Sequence, residues 1–278
     1  MGKEDTLTCS PGTGTVLFNT FGFVLTEEQG IPDSGAGDID LESFRAYLTR
    51  QGLDLVSEPQ PDIDQDLVNR AVLTRRGTGL QATLYGILCF GRQPQRFRHT
   101  GQFFIQCAAY SGTDRASDVI LTGEARGRVD EQVSRALGWL KALGAREVYE
   151  GILRKDVPLV PERAAREALV NAVAHRDYAI TGSKVLLEVF KDRLVVTSPG
   201  TLPNSMKPES VLAGGHPRSR NELVANFLLV SRLMEWRGRG LPIIRREMQE
   251  FNGTNPELVD ERDGRYVRLT LRLAPVGE

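Results

Sequence analysis

Apolar residues in the first half of the chain follow helical spacing in some segments and strand spacing in others. Residues 41–52 carry apolar residues three or four positions apart and end at a glycine, which predicts a helix. Residues 58–73 predict a short helix after two prolines, and residues 80–91 predict a strand or a short helix. Alternation in residues 102–112 indicates a strand, whereas residues 129–143 have the single apolar side of an amphipathic helix.

The second half has a more regular pattern of two hairpins and three helices. Two strands joined by the tight turn Lys191-Asp192 form the first hairpin, and two final strands joined by residues 262–264 form the second. A long polar loop covers residues 199–218, and the segment 157–161 is the predicted joint between the halves. The helices are predicted over residues 161–176, 221–234 and 241–251.

These elements predict an α+β protein. Its C-terminal part is expected to be an α/β sandwich, with helices on one face of a mixed, mostly antiparallel sheet, preceded by a smaller α/β domain. We predict a flexible arm, or the remnant of an upstream domain, in residues 1–38. Residues 39–156 are predicted to form an α/β linking domain, and residues 157–278 the helix-and-sheet domain. A chain of 278 residues is long enough for two such cores.

Composition narrows the classes of partner only slightly. Lys+Arg (35) and Asp+Glu (36) nearly cancel, so a nucleic-acid or membrane surface would have to be a local patch. No apolar run reaches the roughly 18 residues of a membrane span, and the first residues do not resemble a secretion signal. We therefore expect a cytoplasmic protein with no membrane partner. Cys9, Cys89 and Cys107 form no CxxC pair, and the last two lie in apolar runs typical of buried free thiols.

A polar stripe marks one face of the helix predicted at residues 161–176. Glu167, Asn171 and His175 are spaced by four, so they lie on the same side of that helix. Asparagine is a poor residue for a helix interior because its amide competes for backbone groups. One interpretation is functional: Asn171 gives its side-chain oxygen to Mg²⁺, and Glu167 holds or activates a water. The other is a solvated helix face on which Arg163 and Glu167 form a weak ion pair.

Three turns that contain glycine follow this helix. Residues 238–240 precede a predicted helix, and backbone amides at a helix start, with glycines that permit close approach, can bind an anion. Residues 198–200 end a predicted strand, and Gly214-Gly215 precede Arg218 and Arg220, which would reach phosphates if this loop is a flap. Each turn also has a purely steric explanation, and the arginines can equally be exposed loop residues. The order of the elements is what indicates a nucleotide pocket.

The motifs, taken in this order, resemble a known family. The segments EALVNAVAHRDY, LVVTSPGTLP, RGRGLPII and YVRLTL resemble the ATP-binding domain of the histidine-kinase and gyrase type, which is the GHKL superfamily with the Bergerat fold. They are similar in particular to its divergent branch of RecG-like, Schlafen AlbA-associated ATP-binding proteins. The resemblance covers about residues 40–274 and is strongest at 160–245, and residues 80–97 resemble the linking domain of those proteins.

The resemblance implies roles for individual residues. It makes Glu167 the catalytic, water-activating carboxylate and Asn171 the Mg²⁺ ligand, with residues 204–220 as the lid. Ser198 stands where the superfamily has an aspartate that reads the adenine amino group, and a hydroxyl accepts that hydrogen bond more weakly. The residues implied for cofactor binding are Asn171, His175, Ser198, Gly200, Leu202, Arg220, Gly238, Arg239, Gly240 and Leu241.

The same resemblance implies an ATP-binding regulatory protein. It would bind ATP and Mg²⁺, act as at most a weak ATPase, and work in transcription or another process linked to nucleic acids. The nucleotide is the expected partner, and DNA and a second copy of the chain are further candidates. The chain contains no GxxxxGK[ST] motif, so the helicase label of its relatives finds no support.

Two other functions stay open. One is a non-catalytic module with a degenerate nucleotide pocket, which binds DNA or protein through arginines such as Arg218, Arg220, Arg237 and Arg239. The other is a scaffold whose pocket is empty.

Overall fold

The computed structural model describes residues 25–53, 62–144, 146–150, 153–203, 206–214, 219–234 and 239–273. The helices in these ranges are α1 (Leu41–Arg50), α2 (Ile63–Asn69), α3 (Leu84–Phe90), α4 (Val129–Ala142), α5 (Glu162–Ala174), α6 (Pro208–Leu212), α7 (Glu222–Val230) and α8 (Gly240–Asn252). The strands are β1 (Leu73–Arg76), β2 (Gly79–Ala82), β3 (Ile105–Tyr110), β4 (Val119–Ala125), β5 (Arg146–Glu150), β6 (Leu153–Val157), β7 (Val185–Val189), β8 (Arg193–Pro199), β9 (Glu257–Glu261) and β10 (Tyr266–Arg272). None of these helices has both the length and the apolar character needed to cross a membrane.

Six strands form one mixed sheet in the order β4-β3-β7-β8-β10-β9. Within it β3 and β7 run parallel, and the other neighbouring pairs are antiparallel. Val196 lies opposite Leu269 and Ser198 opposite Val267 in the β8–β10 pair. Because side chains alternate between the faces of a strand, these four residues share one face of the sheet. The predicted α/β class with a mostly antiparallel sheet is therefore confirmed.

Helix α5 packs centrally against this sheet. It contacts β7 and β8 and lies beside α4, α7 and α8. Alanine, leucine and valine residues bury most of its surface, and Leu169 is fully buried. A fully buried leucine stabilises a fold by roughly 1.5–3 kcal/mol relative to an exposed one. The core therefore fixes the rotation of α5, and with it the direction in which the polar stripe of this helix points.

Residues 80–91, predicted to form a strand or a short helix, contain the end of a strand and a short helix. Strand β2 ends at Ala82, and α3 begins at Leu84. Thr83 separates the two, and its Oγ1 accepts a hydrogen bond of 2.9 Å from the backbone N–H of Gly86. This cap satisfies one of the amides that have no partner inside a helix, so the change from strand to helix is sharp.

Residues 25–38, the described part of the range predicted as an arm or a domain remnant, contact the rest of the fold. Glu27 is only 1% exposed, and its carboxylate accepts hydrogen bonds from the backbone N–H groups of Leu223 and Val224 at the start of α7. Gly30 forms a β-bridge with Thr83. The remainder of the predicted arm, residues 1–24, lies outside the described residues.

The main sheet contains strands from both predicted domains. β3 and β4 belong to the range 39–156, whereas β7, β8, β9 and β10 belong to the range 157–278. The parallel pairing of β3 with β7 joins the two ranges, and the division between them stays a prediction. Cys89 and Cys107 are buried free thiols, as expected.

Candidate functional site

A cavity of about 420 Å³ lies between α5, the β8–β10 face of the sheet and the starts of α7 and α8. Its floor is apolar and includes Val196, Leu258, Val267 and Leu269. All but two of the residues predicted to bind or act on a cofactor line this cavity: Glu167, Asn171, His175, Ser198, Gly200, Leu202, Arg220, Gly240 and Leu241. Of the other two, Arg239 is exposed and is not part of the lining, and Gly238 lies outside the described residues.

One end of the cavity is polar and is formed where α8 begins against α5. A Cβ atom placed on Gly240 would lie 2.9 Å from Glu167 Oε2 and 2.9 Å from Asn171 Nδ2. Both distances are shorter than van der Waals contact, so the start of α8 can approach these side chains only because residue 240 is a glycine. The Nδ2 atom of Asn171 is buried and has no hydrogen-bond partner among the described residues.

The burial of Glu167 bears on one of the two interpretations of the polar stripe. Its side chain is 1% exposed, so the solvated helix face is wrong for this residue. Arg163, the partner proposed for it in that interpretation, has a guanidinium nitrogen 3.6 Å from Glu247 on α8. Buried carboxylates are rare unless they are paired, and Arg166 Nη2 lies 3.9 Å from Glu167 Oε1.

The first turn of α8 supplies backbone donors at the same end. The N–H groups of Gly240 and Leu241 belong to the first helical turn and have no acceptor within the helix. Pro242, the next residue, has no N–H group. Gly240 and Leu241 are therefore the residues of this first turn that both line the cavity and carry a backbone N–H. An anion at this position would also be favoured by the positive end of the helix dipole.

The C-terminal end of α5 forms a second wall. Burial, together with the nearby positive charge of Arg220, lowers the pKa of His175 to about 4. The imidazole is therefore neutral near pH 7, because the low-dielectric surroundings disfavour its charged form. Asn221 closes this wall by donating from Nδ2 to the backbone oxygens of Ala174 and Arg176, at 3.0 and 2.8 Å.

Ser198 and Gly200 form the turn at the end of β8. The hydroxyl of Ser198 donates to the backbone oxygen of Ala172 on α5, at 2.7 Å. Its proton is thereby committed, and the lone pairs that remain can act only as acceptors. Gly200 has a φ of 114°, and a Cβ atom there would lie 2.6 Å from the Cβ of Asp177. Both the backbone conformation and the close approach therefore require a glycine.

Arg220 lies beside this turn. Its Nη1 is 3.4 Å from Asp177 Oδ2, and its Nη2 donates to the backbone oxygen of Thr201. Burial lowers the pKa of the Arg220 guanidinium, and the charge of Asp177 opposes that shift. The sequence suggested an arginine free to reach phosphates, whereas the structure engages this side chain with a carboxylate and a carbonyl.

Three residues of this region were missed by reasoning from the sequence: Arg176, Asp177 and Asn221. Arg176 is 1% exposed and donates to the backbone oxygens of Asp177 at 3.0 Å, Ile180 at 2.7 Å and Ser183 at 2.6 Å. The HRDY segment was noticed as a motif, but nothing in its spacing indicates that its arginine is buried. A charged residue directly after an apolar helix is the only available signal, and it is a weak one.

The fold is that of an α/β protein, and the comparison with known families supports an ATPase-like domain in its C-terminal part. Residues 182–271 match the family model described as "Putative ATP-dependent DNA helicase recG C-terminal", which represents an ATPase-like domain. The matched range contains β7 to β10 and α6 to α8, and therefore the turn at Gly200 and the start of α8. It does not include α5. No curated protein matches the chain.

A solved structure is similar in fold. The DIP2311 protein from Corynebacterium diphtheriae superposes with a TM-score of 0.65 at 20% sequence identity. The aligned region covers 91% of this chain and 48% of that one, so the chain spans about half the length of that protein. At this identity the likeness shows the shared α/β fold and carries no information on activity.

Proposed function

We propose that this chain is an ATP-binding regulatory protein whose cavity holds ATP together with Mg²⁺. The observation that carries the proposal is the convergence of Glu167, Asn171 and Gly240 at one end of the same cavity that contains Ser198 and Gly200. The similarity of residues 182–271 to an ATPase-like domain supports nucleotide binding independently of α5. A volume of about 420 Å³ is within the range of small-molecule sites.

The base would lie on the apolar floor beside β8. Val196 and Leu269 offer a flat aliphatic surface there, and Ser198 offers an acceptor because its own proton is given to Ala172. An acceptor at this place suits the exocyclic amino group of adenine. The oxo group at the same position of guanine has no hydrogen to give, so this arrangement favours adenine.

The phosphates would lie at the polar end. The N–H groups of Gly240 and Leu241 supply donors, and Asn171 lies directly against them. No group of three or more His, Cys, Asp or Glu side chains in the described ranges could hold a metal ion. A Mg²⁺ ion would therefore take one side-chain oxygen from Asn171 and the rest from phosphates and water, a combination common for this ion. Bound there, Mg²⁺ would neutralise phosphate charge.

Glu167 would act as the general base in any hydrolysis. Its carboxylate is in contact range of the same glycine as Asn171, so both side chains face the place proposed for the terminal phosphate. The other side chains of the lining that can act as an acid or a base near neutral pH are His175 and Glu222. A single positioned base contributes about 10²–10⁴-fold to a rate, so we expect hydrolysis to be slow.

A regulatory role is supported by the contacts of α7. Asn226 lines the cavity and donates from Nδ2 to the hydroxyl of Tyr47 on α1, at 3.1 Å. The first backbone N–H groups of the same helix donate hydrogen bonds to the carboxylate of Glu27. Nucleotide binding that moves α7 would therefore reach residues in the N-terminal part of the chain. Action on a nucleic-acid-linked process, and a DNA or homodimer partner, follow from the family resemblance.

Calorimetric titration with a non-hydrolysable ATP analogue, with and without Mg²⁺, tests this proposal. We expect Mg²⁺ to tighten binding by wild type at least tenfold and to have little effect on Asn171→Ala. Asn255→Ala is the matched control, because Asn255 is an exposed asparagine that does not line the cavity. Micromolar affinity that is indifferent to both Mg²⁺ and Asn171→Ala would refute the metal role. An absence of binding at millimolar nucleotide would refute the ATP site itself.

The same preparations distinguish the alternative function. A DNA-binding module would bind duplex DNA with an affinity that falls steeply as salt is raised, because bound counterions are released. Such binding without any nucleotide affinity would favour the module over the ATP-binding regulator.

A further inference from the structure

We infer that Asp177 and Arg220 are positioning residues, which hold the turn of residues 199–203 against the end of α5, and that Arg220 does not bind phosphate. The inference rests on the proposed function, since it assigns this turn to the adenine side of an ATP site. The sequence suggests that Arg220 is a cation that reaches phosphates. We assign it instead to a structural contact, the Asp177–Arg220 brace, in which Arg220 links Asp177 to the turn of residues 199–203.

The guanidinium of Arg220 contacts the turn and Asp177 at once. Its Nη1 lies 3.4 Å from Asp177 Oδ2, and its Nη2 donates to the backbone oxygen of Thr201. A Cβ atom on Gly200 would lie 3.1 Å from the same Nη1. The planar fork of arginine therefore bridges from the carboxylate to the turn across the glycine, a geometry that the single ammonium of lysine cannot reproduce.

The position of Asp177 is also fixed by contacts that do not involve Arg220. Its backbone N–H donates to the oxygen of Pro199 at 2.8 Å, and its Oδ1 accepts from the N–H of Ala179 at 3.0 Å. Its backbone oxygen accepts from the buried Arg176 at 3.0 Å. Three separate bonds thus set the position of this carboxylate, so it can serve as a rigid anchor for Arg220.

Position along α5 separates Arg220 from the phosphate end. Glu167 and Asn171 contact the start of α8, whereas Asp177 follows the end of α5, ten residues after Glu167. At 1.5 Å per residue, the eight residues from Glu167 to His175 alone span about 12 Å. Arg220 is close enough to this far end to lower the pKa of His175. Two of its three nitrogens are also already engaged there, Nη1 by the carboxylate of Asp177 and Nη2 by the carbonyl of Thr201.

A ligand series that varies only in phosphate number tests the assignment. Dissociation constants of adenosine, AMP, ADP and ATP are measured for wild type, Asp177→Asn and Arg220→Gln. We expect each variant to lose about tenfold in affinity, equally for all four ligands, since a charged hydrogen bond of this kind contributes about that factor. A loss that grows with each added phosphate would overturn the inference, because it would place Arg220 on the phosphates.

Two comparisons separate a specific brace from general damage to the fold. The double variant Asp177→Asn/Arg220→Gln should bind no more weakly than the worse single variant, because the two changes remove one shared interaction. Additive losses would show that the two residues act separately and would overturn the inference. Arg265→Gln is the matched control: Arg265 also approaches Asp177 Oδ2, at 3.4 Å, but its side chain is 53% exposed, so its loss should cost little.

A measurement without nucleotide keeps this inference distinct from the ATP proposal. The Gly200 amide donates to Arg265 O at 2.8 Å and the Leu202 amide to Asp260 Oδ1 at 3.0 Å. Hydrogen exchange at both amides should accelerate in Asp177→Asn and Arg220→Gln, while amides of β7 such as Leu187 keep their protection. Accelerated exchange with no nucleotide binding by wild type would retain the brace and refute the ATP site. Unchanged exchange at both amides would refute the brace, whatever the ligand data.

Discussion

Replacement of Gly240 by alanine should damage both the fold and the proposed site. The new methyl group would lie 2.9 Å from Glu167 Oε2 and 2.9 Å from Asn171 Nδ2, and 3.4 Å from Asn171 Oδ1. Carbon and these polar atoms normally stay at least about 3.4 Å apart, so both side chains have to move by several tenths of an ångström. Glu167 is almost completely buried and has little room to do so.

The expected change in the free energy of unfolding for Gly240→Ala follows from two opposing effects. Overpacking of a buried site by one methyl group costs typically about 1–3 kcal/mol. Alanine favours a helix over glycine by about 1 kcal/mol in its interior, and by less at a first position such as residue 240. The steric cost is therefore larger, and we expect the free energy of unfolding to fall by about 1–2 kcal/mol. Affinity for ATP should fall at least tenfold, which is about 1.4 kcal/mol, because the methyl group occupies the space between Asn171 and the first amides of α8.

Gly138→Ala provides the control. Gly138 lies inside α4, is exposed, and has no atom within 4 Å of its would-be Cβ. This change should raise the free energy of unfolding by about 0.5–1 kcal/mol and leave ATP affinity unchanged. Urea denaturation and calorimetric titration are carried out on wild type and both variants. They give, for each variant, the change in the free energy of unfolding and the change in affinity for ATP. If Gly240→Ala stabilises the protein as Gly138→Ala does and binds ATP normally, the contact between α8 and the polar stripe is not what shapes the site.

Two further predictions concern ionisable groups whose pKa the fold shifts, and both use urea denaturation over a range of pH. The pKa of His175 in the fold is about 4, against an ordinary value of 6.5, so the unfolded chain binds more protons between these values and wild type loses stability as the pH falls. His175→Gln should lose less, by up to about 3 kcal/mol at pH 4; parallel curves would contradict the lowered pKa of this imidazole. Glu27→Ala should cost about 2–3 kcal/mol at pH 7, because it removes the acceptor of two α7 amides, and Glu27→Gln should cost less. Burial also raises the pKa of Glu27 in the fold, so protonation of Glu27 stabilises wild type. This stabilisation is complete below pH 4.5 and is lost as the pH rises through the pKa of Glu27 in the fold, and it should be absent from Glu27→Gln. Equal costs for Glu27→Ala and Glu27→Gln at pH 7 would contradict the role of Glu27 as a helix cap.

Local signals account for the elements that were predicted correctly. The apolar residues of helix α5 recur with helical spacing, and the β7–β8 and β9–β10 hairpins are marked by the short turns between their strands. Strand β4 was missed because its apolar residues do not alternate with polar ones: Val119, Ile120 and Leu121 are consecutive, apolar and exposed at the edge of the sheet. Helix α6 has only five residues, too few for a repeat, and it lies inside the segment interpreted as a polar loop.

The placement of site residues was predictable to a smaller extent. The stripe of Glu167 and Asn171 follows from helix geometry alone, so its common direction was predicted. Its contact with Gly240 depends on where α8 begins relative to α5, which no spacing within the sequence encodes. The same holds for Glu27, which is about two hundred residues from the amides that it caps. Contacts of this kind arise from the packing of whole elements, and sequence patterns report only the elements.

Two residues with low helix propensity lie side by side at the cavity. Gly240 stands where alanine would be a better helix former, and Asn171 interrupts a helix of alanine, leucine and valine with a buried amide nitrogen that finds no partner in the described structure. Gly138 shows that an isolated glycine in a helix needs no functional reason, since nothing surrounds it. At Gly240 a Cβ atom would instead meet the carboxylate of Glu167 and the amide of Asn171, both on a helix whose rotation the core fixes. The glycine at 240 and the asparagine at 171 therefore depart from helix propensity at the place that we propose for the phosphates, and functional sites are where such departures are expected.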